Sequence, residues 1–267
     1  MTCNGKYFDG EMSAQRQMVS AMTYSPPVID TPDSFVTFKY ELPHFFKALR
    51  GDVPARIVAM GSSSTAGRGD DVVPYPARLE MYLRWEYQAR FPPQFRLDIL
   101  NRGKGGEEAP DELNRFKSDI FDEKPSLVIW QVGTNAVFRK NHKIKDSADA
   151  IKNGLRQLAE HDLDVVLLDP QYVTAMLKDE CADDSEQMVS LIAAAADEAK
   201  VNSFRRWALM QHWHVYDNVA LADMIDPDDQ KDQLHQNDWS TMQVSKAFFN
   251  AIKNVLTKMD WCSSHGS

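Results

Sequence analysis

From Ala55 onward, short runs of β-forming apolar residues alternate with segments of helical period, and this alternation restricts the fold of the chain more than any other feature. The runs are Arg56-Ile57-Val58-Ala59-Met60 and residues 95–100, 126–132 and 164–168. The last two are nearly continuous apolar stretches, as expected of strands covered on both faces. Between the runs, Tyr75, Leu79, Tyr82 and Leu83 recur at i, i+4, i+7 and i+8, and Ile151, Leu155 and Leu158 at i, i+4 and i+7. Each set gives an intervening helix one apolar stripe with which to pack. Strands separated by helices are the pattern of βαβ units, so the expected class is α/β around a central parallel sheet of about five strands.

The remaining elements follow from the same reasoning. A fifth strand belongs within residues 201–219, although residues 204–214 read equally well as a helix. Ser185 is placed to cap a helix carrying Met188, Leu191, Ile192, Ala195 and Ala199. A last helix follows Asn237-Asp238, with Val244, Phe248, Ile252, Val255 and Met259 on one face. Residues 1–54 do not share the pattern, because Pro26, Pro27 and Pro32 forbid a continuous helix or a central strand. That segment reads as an arm, with a short helix near residues 44–49, packed on a domain of residues 55–260 that ends in a tail, 261–267.

Composition excludes several classes of function. A chain of 267 residues buries enough surface to need neither disulfide nor metal, and Cys3, Cys181 and Cys262 are odd in number with no metal-type spacing. Thirty Lys and Arg against 39 Asp and Glu leave a formal charge of −9 with no basic run, which argues against nucleic-acid or anionic-membrane binding. No apolar stretch approaches the length of a bilayer crossing. The first 25 residues lack an apolar signal core, so the chain as given reads as cytoplasmic, or as periplasmic or secreted if a leader has been removed.

In an open parallel sheet, ligands bind beyond the carboxyl ends of the strands. Three of those ends carry Gly61-Ser62-Ser63-Ser64-Thr65-Ala66-Gly67, then Asn101-Arg102-Gly103-Lys104-Gly105-Gly106-Glu107, then Gly133-Thr134-Asn135-Ala136. They bring a hydroxyl, a glycine loop and a side-chain amide to one edge, which is the set that acyl transfer needs: a nucleophile and donors for a developing oxyanion. A serine also needs a base. Among the seven histidines, His235 stands three residues after Asp232 in a polar, turn-like segment directly before the last helix, a spacing that lets the carboxylate orient the imidazole.

Gly61-x-Ser63-x-Thr65, the Gly106 loop, Gly133-Thr134-Asn135 and Asp232-x-x-His235, in this order, resemble the SGNH, or GDSL-type, esterase and lipase family over roughly residues 56–259. The resemblance implies a flavodoxin-like three-layer α/β/α fold. It also implies Ser63 as nucleophile, the N–H groups of Ser63 and Gly106 and the Asn135 side chain as oxyanion donors, and Asp232 and His235 as the rest of a triad. One departure is Ser62, where the family carries an acid; Gly61, Thr65 and Gly67 set Ser63 rather than Ser62 as the nucleophile.

Each motif alone is commonplace: hydroxyls at a strand end cap helices, glycines make turns, and an acidic loop at Asp226, Asp228, Asp229 and Asp232 is usually solvated. Their coincidence at one sheet edge is what favours a site. Rival motifs fail, because Gly61 to Arg68 lacks a Gly-Lys-Ser/Thr ending and Thr65 stands where an α/β-hydrolase elbow needs glycine. His212-Trp213-His214 could offer two metal ligands on one face of a strand but has no third, so neither metal nor cofactor is expected. The resulting expectation is a serine hydrolase acting on a small-molecule or carbohydrate ester, with short-acyl or O-acetyl esters preferred. An acyltransferase on the same site and a non-catalytic carbohydrate or acyl-ligand binder of the same fold are the alternatives.

Overall fold

The computed structural model describes residues 25–51, 54–68, 71–90, 95–140 and 142–265. The expectations for residues 1–24 and for the end of the tail lie outside the described residues. Five strands form one sheet: β1 (Ala55–Gly61), β2 (Leu97–Gly103), β3 (Leu127–Gln131), β4 (Asp164–Leu168) and β5 (Asn202–Phe204). All pairings are parallel and the order is β2-β1-β3-β4-β5, the flavodoxin-like order. In this topology the chain reverses direction across the sheet between β1 and β3, and their carboxyl ends open a crevice there.

Alternate residues of β1 point to opposite faces. Ala55, Ile57 and Ala59 join a core cluster with α1 (Pro43–Leu49), α3 (Tyr75–Tyr87), α8 (Arg206–Val215) and α9 (Asp238–His265). Val58 and Met60 join a second cluster with α4 (Ala109–Leu113), α6 (Ile144–Leu158) and α7 (Ala182–Ala199). The short α2 (Ser63–Ala66) and α5 (Thr134–Phe138) follow β1 and β3 directly. The sheet is thus covered on both sides, and the expected three layers are present. Among the described residues, no helix is long and apolar enough to cross a membrane.

Three boundaries differ from expectation. The second run starts at Leu97 and continues through Asn101-Arg102-Gly103, which the sequence suggested as loop; β2 is an edge strand, so polar residues on it remain half-solvated. Gly103 is needed there, because a Cβ would lie 2.1 Å from the Ala66 backbone nitrogen. Ser185 is not a cap: α7 begins at Ala182, with Asp183 and Asp184 in its first turn where acidic residues favour the helix N-terminus, and the buried Ser185 hydroxyl donates to the Met176 carbonyl at 2.8 Å. His212 and His214 lie on α8 rather than on a strand, and the His214 Nδ1 is 2.8 Å from the Val219 carbonyl.

Residues 36–49 pack Val36, Phe38, Leu42, Phe45 and Leu49 into the first cluster. Asn202 holds this segment by exchanging two hydrogen bonds of 2.9 Å with the Tyr40 backbone, and Asp164 accepts from Phe45 N–H at 2.8 Å.

Candidate active site

β1 ends in Gly61, and the chain turns at once into α2, which places Ser63 in its first turn at the carboxyl edge of the sheet. Ser62 is 2% exposed and points inward; its N–H and hydroxyl each lie 3.0 Å from Gln131 Oε1, to which Thr65 Oγ1 also donates at 3.3 Å. Gln131 Nε2 reaches Thr134 Oγ1 at 3.3 Å. A single buried amide thus ties the loop after β1 to the turn after β3, with Ser62 as its partner. Gln171, also buried, does the same for the next loop: Thr134 Oγ1 donates to its Oε1 at 3.2 Å and its Nε2 donates to the Leu234 carbonyl at 2.9 Å.

Ser63 is left to face the loop that carries His235, and its Oγ lies 2.9 Å from His235 Nε2. The other ring nitrogen, Nδ1, is 2.8 Å from Asp229 Oδ2. The carboxylate on the imidazole is therefore Asp229, six residues away, and Asp232 is not its partner. The reason is a loop closure: Gln233 adopts a left-handed conformation (φ 54°), and the chain wraps so that Leu234 and His235 N–H groups both donate to Asp229 Oδ2, at 2.9 and 2.8 Å. Asp232, three residues before the histidine, is carried outward and is half-exposed.

Asp229 is 1% exposed. Burial pushes its carboxyl upward, but the hydrogen bonds from the His235 backbone and ring, from Leu234 and from Arg68 outweigh that and hold it near 2. Arg68 Nη1 donates to Asp229 Oδ1 at 2.6 Å and lies equally close to His235 Nδ1. A guanidinium has only N–H donors and cannot accept, so the Nδ1 proton goes to the anionic Asp229 oxygen. That tautomer leaves Nε2 unprotonated and facing Ser63.

The loop after β2 passes directly against the serine: a Cβ on Gly105 would sit 3.9 Å from Ser63 Cβ. Gly106 has φ 84°, and a Cβ there would come within 3.0 Å of Arg139 Nη2. Asn135, in α5, reaches the same loop by donating from Nδ2 to the Glu107 carbonyl at 2.8 Å, while Arg139 Nε donates to its Oδ1 at 3.2 Å. The arginine fixes which way the amide faces. Beneath it, the buried Glu108 carboxylate accepts from Gly133 N–H and Ala136 N–H at 2.8 and 2.9 Å, binding the Asn135 turn to the glycine loop.

The structure thus brings Ser63, His235, Gly106 and Asn135 to one edge, with Asp229 in the place expected for Asp232. Gln131, Gln171, Glu108, Arg68 and Arg139 were not foreseen. Gln131 left a sequence signal, since it is the one polar residue in the run 127–132. Among the described residues no cluster of His, Cys, Asp or Glu has the makings of a metal site.

At the end of β4, Asp169 accepts from Trp207 N–H at 2.9 Å, and burial raises its carboxyl from 3.8 to about 7. The folded state therefore holds a proton that the unfolded chain releases near 4, so this group's contribution to stability is greatest below about 4 and declines as pH rises towards 7. Asp169→Asn should reduce the slope of melting temperature against pH in that window. An unchanged slope would show that Asp169 ionises without cost.

A solved acetylxylan esterase from Geobacillus stearothermophilus has the same fold, with a TM-score of 0.61 at 17% identity over 74% of this chain and 94% of that one. An alpha/beta hydrolase enzyme from the metagenome of Lake Arreo, Spain, gives 0.61 at 20% identity over 75% of this chain and 96% of the other. The fold is thus one used by esterases. The chain belongs to the Non-GDSL lipase-like family, which its residues 29–252 match. Over 79 residues it is 35% identical to the uncharacterized lipoprotein YqeF of Bacillus subtilis; this stretch spans 30% of the chain and 31% of the relative.

Proposed function

We propose that the protein hydrolyses carboxylic esters through an acyl-enzyme formed on Ser63, with short-acyl esters such as O-acetyl groups of carbohydrates as substrates. The observation that carries this reading is the continuous contact Ser63 Oγ to His235 Nε2 and His235 Nδ1 to Asp229, at 2.9 and 2.8 Å. Ser63 Oγ attacks the acyl carbon while Nε2 takes its proton, giving a tetrahedral intermediate whose oxyanion faces the Ser63 and Gly106 N–H groups and the Asn135 amide. The imidazolium, steadied by Asp229, returns the proton to the leaving alcohol as the C–O bond breaks. Water then attacks the acyl-enzyme, gives one proton to Nε2 and releases the carboxylic acid as Ser63 regains its own. The site order supports an SGNH-like mechanism, with Ser62 bound to Gln131 in place of the acid of GDSL enzymes. O-acetyl carbohydrates are suggested by the acetylxylan esterase that shares the fold.

Incubation with a fluorophosphonate tests the reading. Intact mass should rise by one adduct, mapped to Ser63 by digestion; a protein that stays unmodified, or is modified elsewhere, overturns it.

One of the two Asn135 Nδ2 protons is committed to the Glu107 carbonyl, and the other is available to the oxyanion. Asn135→Ala should therefore lower kcat by roughly 10² to 10³ with little change in KM. If the variant instead melts early while its folded fraction retains full activity, Asn135 only braces the loop.

A further inference from the structure

Beside Ser63 and His235 lies a cavity of about 30 Å³, walled by α2, the first turns of α3 and α8, and α9. It is large enough for a pair of waters or a carboxylate and too small for a sugar ring. Among the described residues its lining includes two guanidiniums, Arg68 and Arg206, and no carboxylate, in a chain whose formal charge is −9. The other polar groups around it, such as Tyr75, Gln236 and Thr241, are neutral.

Arg206 is 2% exposed. Its Nε donates to the Asp169 carbonyl at 2.9 Å and its Nη1 reaches Gln236 Oε1 only at 3.4 Å, while Nη2 is buried with no partner. A charged donor left in this way bears its desolvation without compensation. The one carboxylate beside it, Asp169, spends Oδ1 on Trp207 N–H. Burial draws the Arg206 guanidinium down to about 10 and the Asp169 carboxyl up to about 7, so near neutral pH the arginine keeps its charge and the acid has lost part of its own. Arg68 is paired with Asp229 at 2.6 Å.

We propose that this cavity is a carboxylate subsite, with Arg206 as its anchor and Arg68 as the second cation, and that the favoured substrates are esters bearing a free carboxylate a few bonds from the scissile carbonyl. The proposal rests on Ser63 and His235 being an ester-cleaving centre. A carboxylate in the cavity meets the Arg206 guanidinium, and a small shift of that side chain gives the buried, unpartnered Nη2 its acceptor; the two guanidiniums attract it over a neutral group of the same size.

Two pairs of esters test this on the wild-type protein. 4-Nitrophenyl hemisuccinate against 4-nitrophenyl butanoate places the charge on the acyl side; acetoxyacetate against acetoxyacetamide places it on the alcohol side. The charged member of one pair should be favoured by roughly ten-fold or more in kcat/KM, mainly through KM, and the pair that shows the preference says which side of the ester occupies the cavity. The preference should shrink with added salt, and Arg206→Gln should bring the ratio close to one. Because Arg206 is buried and that variant can fail to fold, succinate and succinamide are also titrated calorimetrically into the wild type, where only succinate should bind. Equal rates within both pairs together with no succinate binding overturn the subsite and leave ester hydrolysis intact. No turnover of any ester and no fluorophosphonate adduct overturn the hydrolase reading, and the succinate titration then decides the subsite alone.

Discussion

Ser63→Ala should lower kcat for any ester substrate by about six orders of magnitude, leaving only the rate that binding and the oxyanion donors sustain. The melting temperature should hardly move, because Ser63 Oγ contributes one hydrogen bond, to His235, at a half-buried position. The two neighbouring serines should behave differently. Ser62→Ala removes a buried donor from Gln131 Oε1, which still accepts the residue's N–H and the Thr65 hydroxyl, so about 1 kcal/mol of stability should be lost with most of the activity retained. Ser64 makes only a 3.5 Å contact with Gln171, and Ser64→Ala should be close to wild type. Kinetics and thermal melts on the three variants decide the register: a folded but inactive Ser62→Ala beside an active Ser63→Ala would move the nucleophile.

Asp229→Asn is expected to reduce kcat by about four orders of magnitude, whereas Asp232→Asn should remain near wild type. An asparagine can still accept from the Leu234 and His235 N–H groups, so the loop has no reason to open, but its neutral amide no longer favours the Nδ1 proton and no longer steadies an imidazolium. The pair of variants separates the structural reading from the spacing argument, since loss of activity in Asp232→Asn with Asp229→Asn unharmed would restore the three-residue spacing. The two acids also differ in acid stability. Asp229 is held near 2, below its unfolded value of 3.8, so its contribution is complete above about 4 and is lost as pH falls through 2. Asp229→Asn should flatten the stability curve in that acid range, and a curve identical to wild type would show that the depressed carboxyl is not realised in the folded protein.

Much of this protein was determined by the sequence itself. Alternation of apolar runs and helical stripes dictates a parallel sheet with covered faces, because strands apolar on both faces need a layer on each side and the intervening helices, each with one apolar stripe, supply it. Once the sheet is parallel, its carboxyl ends must carry the loops that hold Ser63, Gly106 and Asn135 together. His235 was legible for a related reason, since it lies in a polar turn directly before the last helix.

What only the tertiary structure decided are the contacts that depend on how a loop closes. Asp232 was favoured on local spacing, but one left-handed residue, Gln233, turns two backbone N–H groups and the imidazole onto Asp229. A sequence with four acids in seven residues does not encode which carboxylate ends up 1% exposed. The same holds for Gln131 and Gln171, whose partners in other loops lie 37 to 107 residues away, and for Arg206, which left no pattern because its surroundings come from β4, α3 and α9 together. Periodicity reports which face of an element is buried. The identity of a buried polar residue's partner is fixed by the requirement that each donor and acceptor removed from water find a mate, and that requirement is met only when the elements have come together.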